Sequence, residues 1–209
     1  MTTLSQSQST AISRTHRVII AHKDDATRQT LGVALEELGH DCFAAVSRGA
    51  DLISLCRDPS QTPDVIVSGL ELDDMDGVEA LIRCNEVNDS QFPAIIVSPK
   101  TDLREVEHAL QDHVMAYLVE PVTKKDLKPT IHLVIRRFCE FQDLKSQVHD
   151  LKQALVDRKS VERAKGILMR RSQLSEEDAY RRLQKLASSK RQRLVEVAMS
   201  IITADEAFD

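Results

Sequence analysis

The sequence predicts an α/β protein with a doubly wound, five-stranded parallel sheet, followed by a coiled-coil helix and a C-terminal three-helix bundle. Five short apolar runs alternate with helical segments between residues 18 and 119. An apolar heptad pattern then runs from residue 141 to residue 155. Three apolar stripes at helical spacing follow between residues 161 and 202, and short helices of this kind bury their stripes against one another.

The five predicted strands are apolar runs bounded by polar residues, Gly or Pro. They cover residues 18–21, 43–46, 65–67, 94–97 and 115–119, and a helix is predicted over residues 25–38, ended by Gly39. Apolar strands separated by helices predict a parallel sheet that is covered on both faces. In such a sheet, the functional crevice lies at the carboxyl ends of the strands.

Composition divides the chain into four predicted parts: a disordered tail (1–15), an α/β domain (16–138), a coiled-coil linker (139–160) and a helical domain (161–209). The tail is rich in Ser, Thr and Gln and lacks a signal-peptide core. No apolar run reaches membrane-spanning length, and the four scattered cysteines are typical of a reducing compartment. We therefore expect a cytoplasmic protein with no membrane partner.

The linker carries apolar residues at alternating spacings of three and four. They are Phe141, Leu144, Val148, Leu151 and Leu155. This pattern favours a parallel two-stranded coiled coil, and therefore a homodimer. The alternative is an amphipathic helix that folds back on its own α/β domain.

The C-terminal helices carry a concentration of positive charge. Residues 158–193 contain 12 Lys and Arg against 4 Asp and Glu, in a chain whose net charge is −5. Such a basic block predicts polyanion binding. The candidate contacts are Lys165, Arg170, Arg171, Arg182, Lys190, Arg191 and Arg193, with Tyr180 as a base or sugar contact. Gly166 within a helix indicates close approach of another helix or of RNA, and Ser188 and Ser189 are expected to end the second helix.

Three motifs in this region occur in a recognisable order. They are AKGILM at 164–169, SEEDAY at 175–180 with Leu183 and Ala187 after it, and Leu194 with Val197 and Ala198. Together they resemble the ANTAR domain, the RNA-binding module of bacterial transcription antiterminators. The resemblance implies binding to paired hairpins of leader RNA that overlap a terminator.

Residues 16–138 resemble the receiver domain of response regulators. The resemblance depends on RVII at 17–20, DMDG at 74–77, Ser98 after the fourth strand and YLVEP at 117–121. It implies a cis peptide bond between Glu120 and Pro121. Receivers accept a phosphoryl group on an aspartate that ends the third strand, hold Mg²⁺ with acids after the first strand, and contact the phosphate with a lysine after the fifth.

This sequence departs from the receiver pattern at each charged position of that pocket. Gly69 stands at the acceptor position and Glu120 at the lysine position. The acidic pair is replaced by His22 and Lys23, which leaves only Asp24 nearby. Ser98 and Tyr117 preserve the hydroxyl and aromatic positions.

Two interpretations of the altered pocket remain open: a decayed site, or a charge exchange in which Lys23 and Glu120 pair across the crevice. Glu71, Asp73 or Asp74 could also supply a displaced acceptor. His22 is interpreted as a bystander, because no second metal ligand stands at a suitable spacing. No metal and no cofactor are predicted.

The functional prediction is a transcription antiterminator that signals through a receiver-like domain without the phosphoacceptor aspartate. An enzyme is not expected, because no nucleophile–base pair, phosphate-binding loop or metal cluster is evident. Control by a partner protein that sequesters the dimer is preferred over control by concentration. The alternatives are a DNA-binding response regulator and an interaction adaptor that binds no nucleic acid.

Overall fold

The computed structural model describes residues 15–87, 91–99 and 114–207 and comprises two compact units, Met1–Phe141 and Gln142–Asp209. The predicted disordered tail lies outside the described residues except for Thr15. Strands and helices are numbered below in chain order. None of the helices in the described ranges is long and apolar enough to cross a membrane.

The front unit is built on a parallel sheet with strand order β2-β1-β3-β4-β5. The strands are β1 (Arg17–Ala21), β2 (Asp41–Val46), β3 (Val65–Gly69), β4 (Ala94–Ser98) and β5 (Val114–Val119). The helices are α1 (Asp25–Glu37), α2 (Gly49–Arg57), α3 (Gly77–Val87) and the start of α4 (Lys124–Ser172). The predicted five-stranded parallel sheet is confirmed.

Both faces of the sheet are buried, because successive residues of each strand point to opposite sides. Ile19, Ile66 and Ile96 pack on the side covered by α2 and α3. Ile20 and Val67 pack on the other side, against α1 and the first turns of α4. This explains why the strand sequences are apolar throughout rather than alternating.

Local sequence signals set the bounds of α1 and predict its end correctly. The Asp24 side chain accepts a hydrogen bond from the Thr27 N–H at 2.8 Å, which caps the helix. Gly39 adopts φ 84°, a left-handed conformation that glycine favours after a helix. The predicted cis bond between Glu120 and Pro121 is also present.

The second unit holds the rest of α4 together with α5 (Glu176–Lys190) and α6 (Leu194–Glu206). Its core consists of Ala164, Ile167, Leu183, Ala187, Val197, Ala198 and Ile202. The Ser175 hydroxyl accepts from the Asp178 N–H at 3.2 Å, so the predicted N-cap of the middle helix is confirmed.

The predicted break at Ser188 and Ser189 is wrong. Helix α5 continues to Lys190 and ends at Arg191, whose φ is 54°. The Ser189 hydroxyl donates to the Leu186 carbonyl at 3.0 Å, so this serine satisfies its polar group inside the helix.

The five heptad residues lie on the uninterrupted helix α4. In the single chain, 43–67% of the surface of these residues is exposed. Exposed apolar residues at heptad spacing are the arrangement that a second helix would cover.

We predict that Leu183→Ala destabilises the second unit by about 2–5 kcal/mol, because Leu183 is fully buried in a small core. Urea unfolding followed by circular dichroism measures the change, and amide hydrogen exchange should accelerate in α5 and α6. The matched control is Lys185→Ala on the exposed face of the same helix, with an expected change within about 0.5 kcal/mol. Equal effects of the two variants would contradict the assignment of this core.

Candidate functional site

The ends of β1, β3, β4 and β5 meet at one edge of the sheet and form a polar pocket. Its cavity of about 250 Å³ is lined by residues that include His22, Lys23, Ser98 and Glu120. Parallel strands place their carboxyl ends together, so the topology alone assembles these side chains.

His22 lies at the centre of this pocket and is buried. Its Nδ1 accepts a hydrogen bond from the Asp24 N–H at 3.1 Å. Its Nε2 lies 3.1 Å from Glu120 Oε1 and therefore donates to that carboxylate. The two contacts fix the tautomer and the plane of the imidazole ring.

The imidazole ring of His22 occupies the space in front of Gly69. A Cβ atom placed on Gly69 would lie 2.5 Å from His22 Cδ2, which is closer than real Cβ contacts allow. Hence no side chain fits at the end of β3 unless His22 moves. His22, interpreted as a bystander rather than a metal ligand, has a structural role, because its ring contacts Glu120 and fills the space beside Gly69.

Of the two open interpretations of the pocket, the pair between Lys23 and Glu120 is contradicted. Glu120 is engaged by His22, and the Lys23 ammonium pairs with Glu71 instead. The reason is the alternation at the end of β1, which directs His22 inwards and leaves Lys23 half-exposed at the rim.

The acidic residues near the pocket are used as helix caps and ion-pair partners. The Thr27 N–H holds the pKa of Asp24 below its ordinary value. Asp74 accepts from the Gly49 and Ala50 N–H groups at 2.6 and 3.1 Å, at the start of α2. Within the described ranges, no three His, Cys, Asp or Glu side chains form a metal-binding group.

The hydroxyl and aromatic positions of the pocket keep the placement expected from the sequence. Ser98 ends β4 and is buried. Tyr117 is half-buried in β5 and packs against the core on the side of α2 and α3.

The second candidate site is the basic surface of the helical unit, and the structure corrects the prediction for Lys165. This side chain is buried, and its ammonium lies 2.9 Å from Glu162 and 2.8 Å from Glu176. The hydrogen bond to Glu176, followed by that to Glu162, raises the pKa of Lys165. A cation neutralised by two carboxylates is a structural link between α4 and α5 rather than a phosphate contact.

Arg171 is likewise engaged within the fold. It pairs with Asp205 of α6, whose side chain is buried, while Arg170 approaches the same carboxylate at 3.5 Å. Arg170 nevertheless exposes 74% of its side chain and stays available to a ligand.

The remaining predicted contacts lie on the surface of α5 and of the turn that follows it. Arg182, Lys190 and Arg191 are exposed, and the described residues provide none of them with an ion pair. Arg193 approaches Asp157 at 3.3 Å but is 72% exposed. Tyr180 is half-exposed, and the Lys165 ammonium lies 5.8 Å from its ring centroid.

Close approach of another helix was one of the two explanations expected for Gly166, and no other helix of the described chain approaches it. A Cβ atom at this position would meet no atom of the described chain within 4 Å. The glycine therefore stands in open space.

The acids that pair with some of the cations, and so leave the others without a partner in the described part of the chain, were not predicted from the sequence. Asp205 lies 34 residues from Arg171, and Asp157 lies 36 residues from Arg193. Neither pairing leaves a local sequence signal. The sequence identified Glu176 only as an acid in the first turn of a predicted helix, not as the partner of Lys165.

Comparison with known families gives matches over both units. Residues 18–132 match the response regulator receiver domain, and residues 149–202 match the ANTAR domain. The chain belongs to the response regulators that carry an ANTAR domain. Among its relatives is the transcriptional regulatory protein PdtaR of Mycobacterium tuberculosis, 31% identical over 187 residues, which are 89% of each chain.

Other relatives of this ANTAR response regulator match one part of it. The nitrate regulatory protein of Klebsiella oxytoca is 41% identical over 76 residues, which are 36% of this chain and 19% of that protein. The receiver domain of a modulated diguanylate cyclase from Desulfovibrio desulfuricans G20 superposes with a TM-score of 0.53 at 24% identity. It covers 59% of this chain and 96% of its own, and it confirms the receiver fold.

We predict that Gly69→Ala destabilises the ANTAR response regulator by about 1–3 kcal/mol, because the new methyl group overlaps the His22 ring. Adding His22→Ala should remove most of that penalty, so the two effects are not additive. Thermal unfolding of the single and double variants measures the coupling. Gly32→Ala is the control, since its Cβ would lie an ordinary 3.9 Å from Ile20; additive effects at positions 22 and 69 would contradict the overlap.

Proposed function

We propose that this chain is a cytoplasmic, RNA-binding transcription antiterminator whose receiver unit works without the phosphoacceptor aspartate. In this proposal residues 161–209 bind hairpins of leader RNA, residues 139–160 form a dimeric coiled coil, and residues 16–138 receive the regulatory signal. The protein would favour an antiterminator hairpin and allow the polymerase to continue. The exposed cations around Arg191 are the observation that carries the proposal.

Cations without a carboxylate partner among the described residues favour a polyanion ligand. Lys165 and Arg171 are neutralised inside the fold, yet Arg182, Lys190 and Arg191 remain exposed without a carboxylate partner among the described residues. Guanidinium groups suit both phosphates and the exposed bases of hairpin loops.

The backbone at Arg191 strengthens this argument. The residue that ends α5 has φ 54° and ψ 39°, a left-handed conformation in which glycine is usually found. A side chain there costs about 1 kcal/mol relative to glycine. We propose that binding of the ligand by the exposed Arg191 side chain offsets this cost.

Tyr180 offers the second type of contact in this unit. Its ring is half-exposed, and the ammonium of the buried Lys165, which pairs with the exposed Glu176, lies 5.8 Å from the ring centroid. The hydrogen bond and charge of Lys165 lower the pKa of Glu176, so the pair remains ionised at neutral pH. The exposed part of the ring is available to a base or a sugar.

The packing of the strand-end pocket supports regulation without phosphoryl transfer. Gly69 offers no acceptor atom, and the ring of His22 fills the space where one would stand. Glu120 is held by His22 at 3.1 Å. We therefore propose that a partner protein controls the dimer through the receiver unit, with control by concentration as the alternative.

The exposed heptad face of α4 supports the homodimer. In a parallel coiled coil with Phe141, Val148 and Leu155 in the a positions, Glu140 and Lys145 take the g and e positions. Those positions pair between chains, so the charges favour parallel over antiparallel pairing. Two linked RNA-binding units would gain effective concentration on a paired hairpin site.

We predict that the full-length protein binds hairpin RNA with an affinity that falls about a hundredfold on a fourfold rise in salt, as expected when about five phosphates are neutralised. The probe is the transcript most enriched after the wild-type protein is crosslinked to RNA in bacterial cells. Arg191→Glu should weaken binding at least about tenfold. Arg191→Gly should also weaken it while raising the Tm, because glycine relieves the left-handed backbone.

Arg83→Glu in the receiver unit is the matched control for Arg191→Glu, since it makes the same charge change on an exposed side chain. Equal affinity for duplex DNA would instead support a DNA-binding regulator. Absence of RNA binding at moderate salt would support an adaptor. Unchanged binding by Arg191→Glu would contradict the proposed contact.

We predict that Leu151→Asp converts the dimer into a monomer, because the variant buries an unpaired carboxylate in the seam. Sedimentation velocity measures the change, and RNA affinity should fall with it through lost avidity. Gln147→Asp, a g position beside the seam, introduces the same carboxylate and should leave the dimer intact. A monomeric wild-type protein at micromolar concentration would refute the coiled coil.

A further inference from the structure

Gly166 lies on the outer face of α4 in the helical unit. Each residue of an α-helix turns about 100° from the one before. Ala164 and Ile167 point into the core of the bundle, so Gly166, two residues after Ala164, faces roughly the opposite direction. A Cβ atom at this position would stand in open space.

Neither packing nor backbone conformation explains a glycine at this position. The residue is inside a regular helix, where its φ is not positive, and no neighbouring atom of the described chain would obstruct a methyl group. Alanine is the better helix former in this setting. This glycine lowers helix stability, and neither packing nor backbone conformation in the described chain requires it. We therefore attribute it to a binding partner that needs close access to the helix.

The residues around Gly166 indicate the chemistry of that requirement. Arg163 and Arg170, one turn away on either side, pair with Glu206 at 2.8 Å and approach Asp205 at 3.5 Å, yet they expose 61% and 74% of their side chains. Lys159, on the same face, is exposed, and the described residues give it no ion pair. Glu162, an acid on this face, is already held by Lys165 at 2.9 Å. Bare backbone flanked by exposed cations is complementary to a polyanion.

We propose that the outer face of α4 around Gly166 is a second RNA-contact surface, on which a sugar–phosphate strand lies directly against the helix backbone. Lys159, Arg163 and Arg170 would bind its phosphates, and the missing side chain allows the close approach. This inference rests on the proposed RNA-binding function and adds a contact surface away from the α5–α6 turn.

A second copy of the same helix is the competing occupant, and the charges oppose it. A symmetric contact places each surface patch against its own copy. Arg163 and Arg170 would then face the same two cations of the partner, and the carboxylates near them, Glu206, Asp205 and Glu162, are already paired within the chain. An RNA strand supplies the opposite charge instead.

The test is Gly166→Ala in the full-length protein, with the enriched transcript described above as the probe. We expect an unchanged or higher Tm, because alanine favours the helix. We also expect a loss of RNA affinity of about tenfold, the effect of one displaced contact to a charged group. Gly32→Ala in α1 is the matched control, since it is also a mid-helix glycine with room for a methyl group. It should leave RNA affinity unchanged.

Lys159→Gln provides an independent measurement on the same face. It should lower the slope of log Kd against the logarithm of the salt concentration by about the amount that one phosphate contact contributes. Normal RNA binding by Gly166→Ala, together with weakened binding by Arg191→Glu, would overturn this inference and leave the proposed function standing. A wild-type protein without RNA binding would overturn both. Loss of the dimer in Gly166→Ala would assign the face to a subunit contact and also overturn the inference.

Discussion

The front unit depends on one constraint, the burial of a parallel sheet on both faces. That burial requires apolar strands and covering helices, and it places the carboxyl ends of β1, β3, β4 and β5 at one edge. Whatever stands at those ends must share a single pocket. In this chain the shared pocket contains a histidine, a glycine and a glutamate that fit one another, and the same constraint would have assembled a phosphorylation site from other residues.

In the helical unit, charge pairing rather than the fit of side-chain shapes determines which polar groups meet. Its three helices bury one apolar face each, which leaves the cations on the surface. Carboxylates then neutralise some of them: Glu176 holds Lys165, and Asp205 holds Arg171. These pairs connect α4 with α5 and α6, so they help to define the bundle. The cations that remain exposed form the surface that we assign to RNA.

Much of the architecture follows from local pattern. The strands, the cap at Ser175, the glycine after α1 and the long helix α4 are short-range features, set by residues a few positions apart. The misplaced end of α5 shows the limit of this reasoning. Two serines suggest a break, but the Ser189 hydroxyl bonds within the helix, and the tertiary packing of Leu183 and Ala187 keeps the helix formed.

The sequence by itself determined the two family memberships, the five-stranded sheet and the position of the basic block, because each is carried by contiguous motifs and periodicity. Only the tertiary structure decided which charges meet. His22 rather than Lys23 reaches Glu120 across 98 residues of chain, and Asp205 reaches Arg171 across 34. Such pairings depend on side-chain direction at strand and helix ends, and a residue pattern in one dimension does not contain that information.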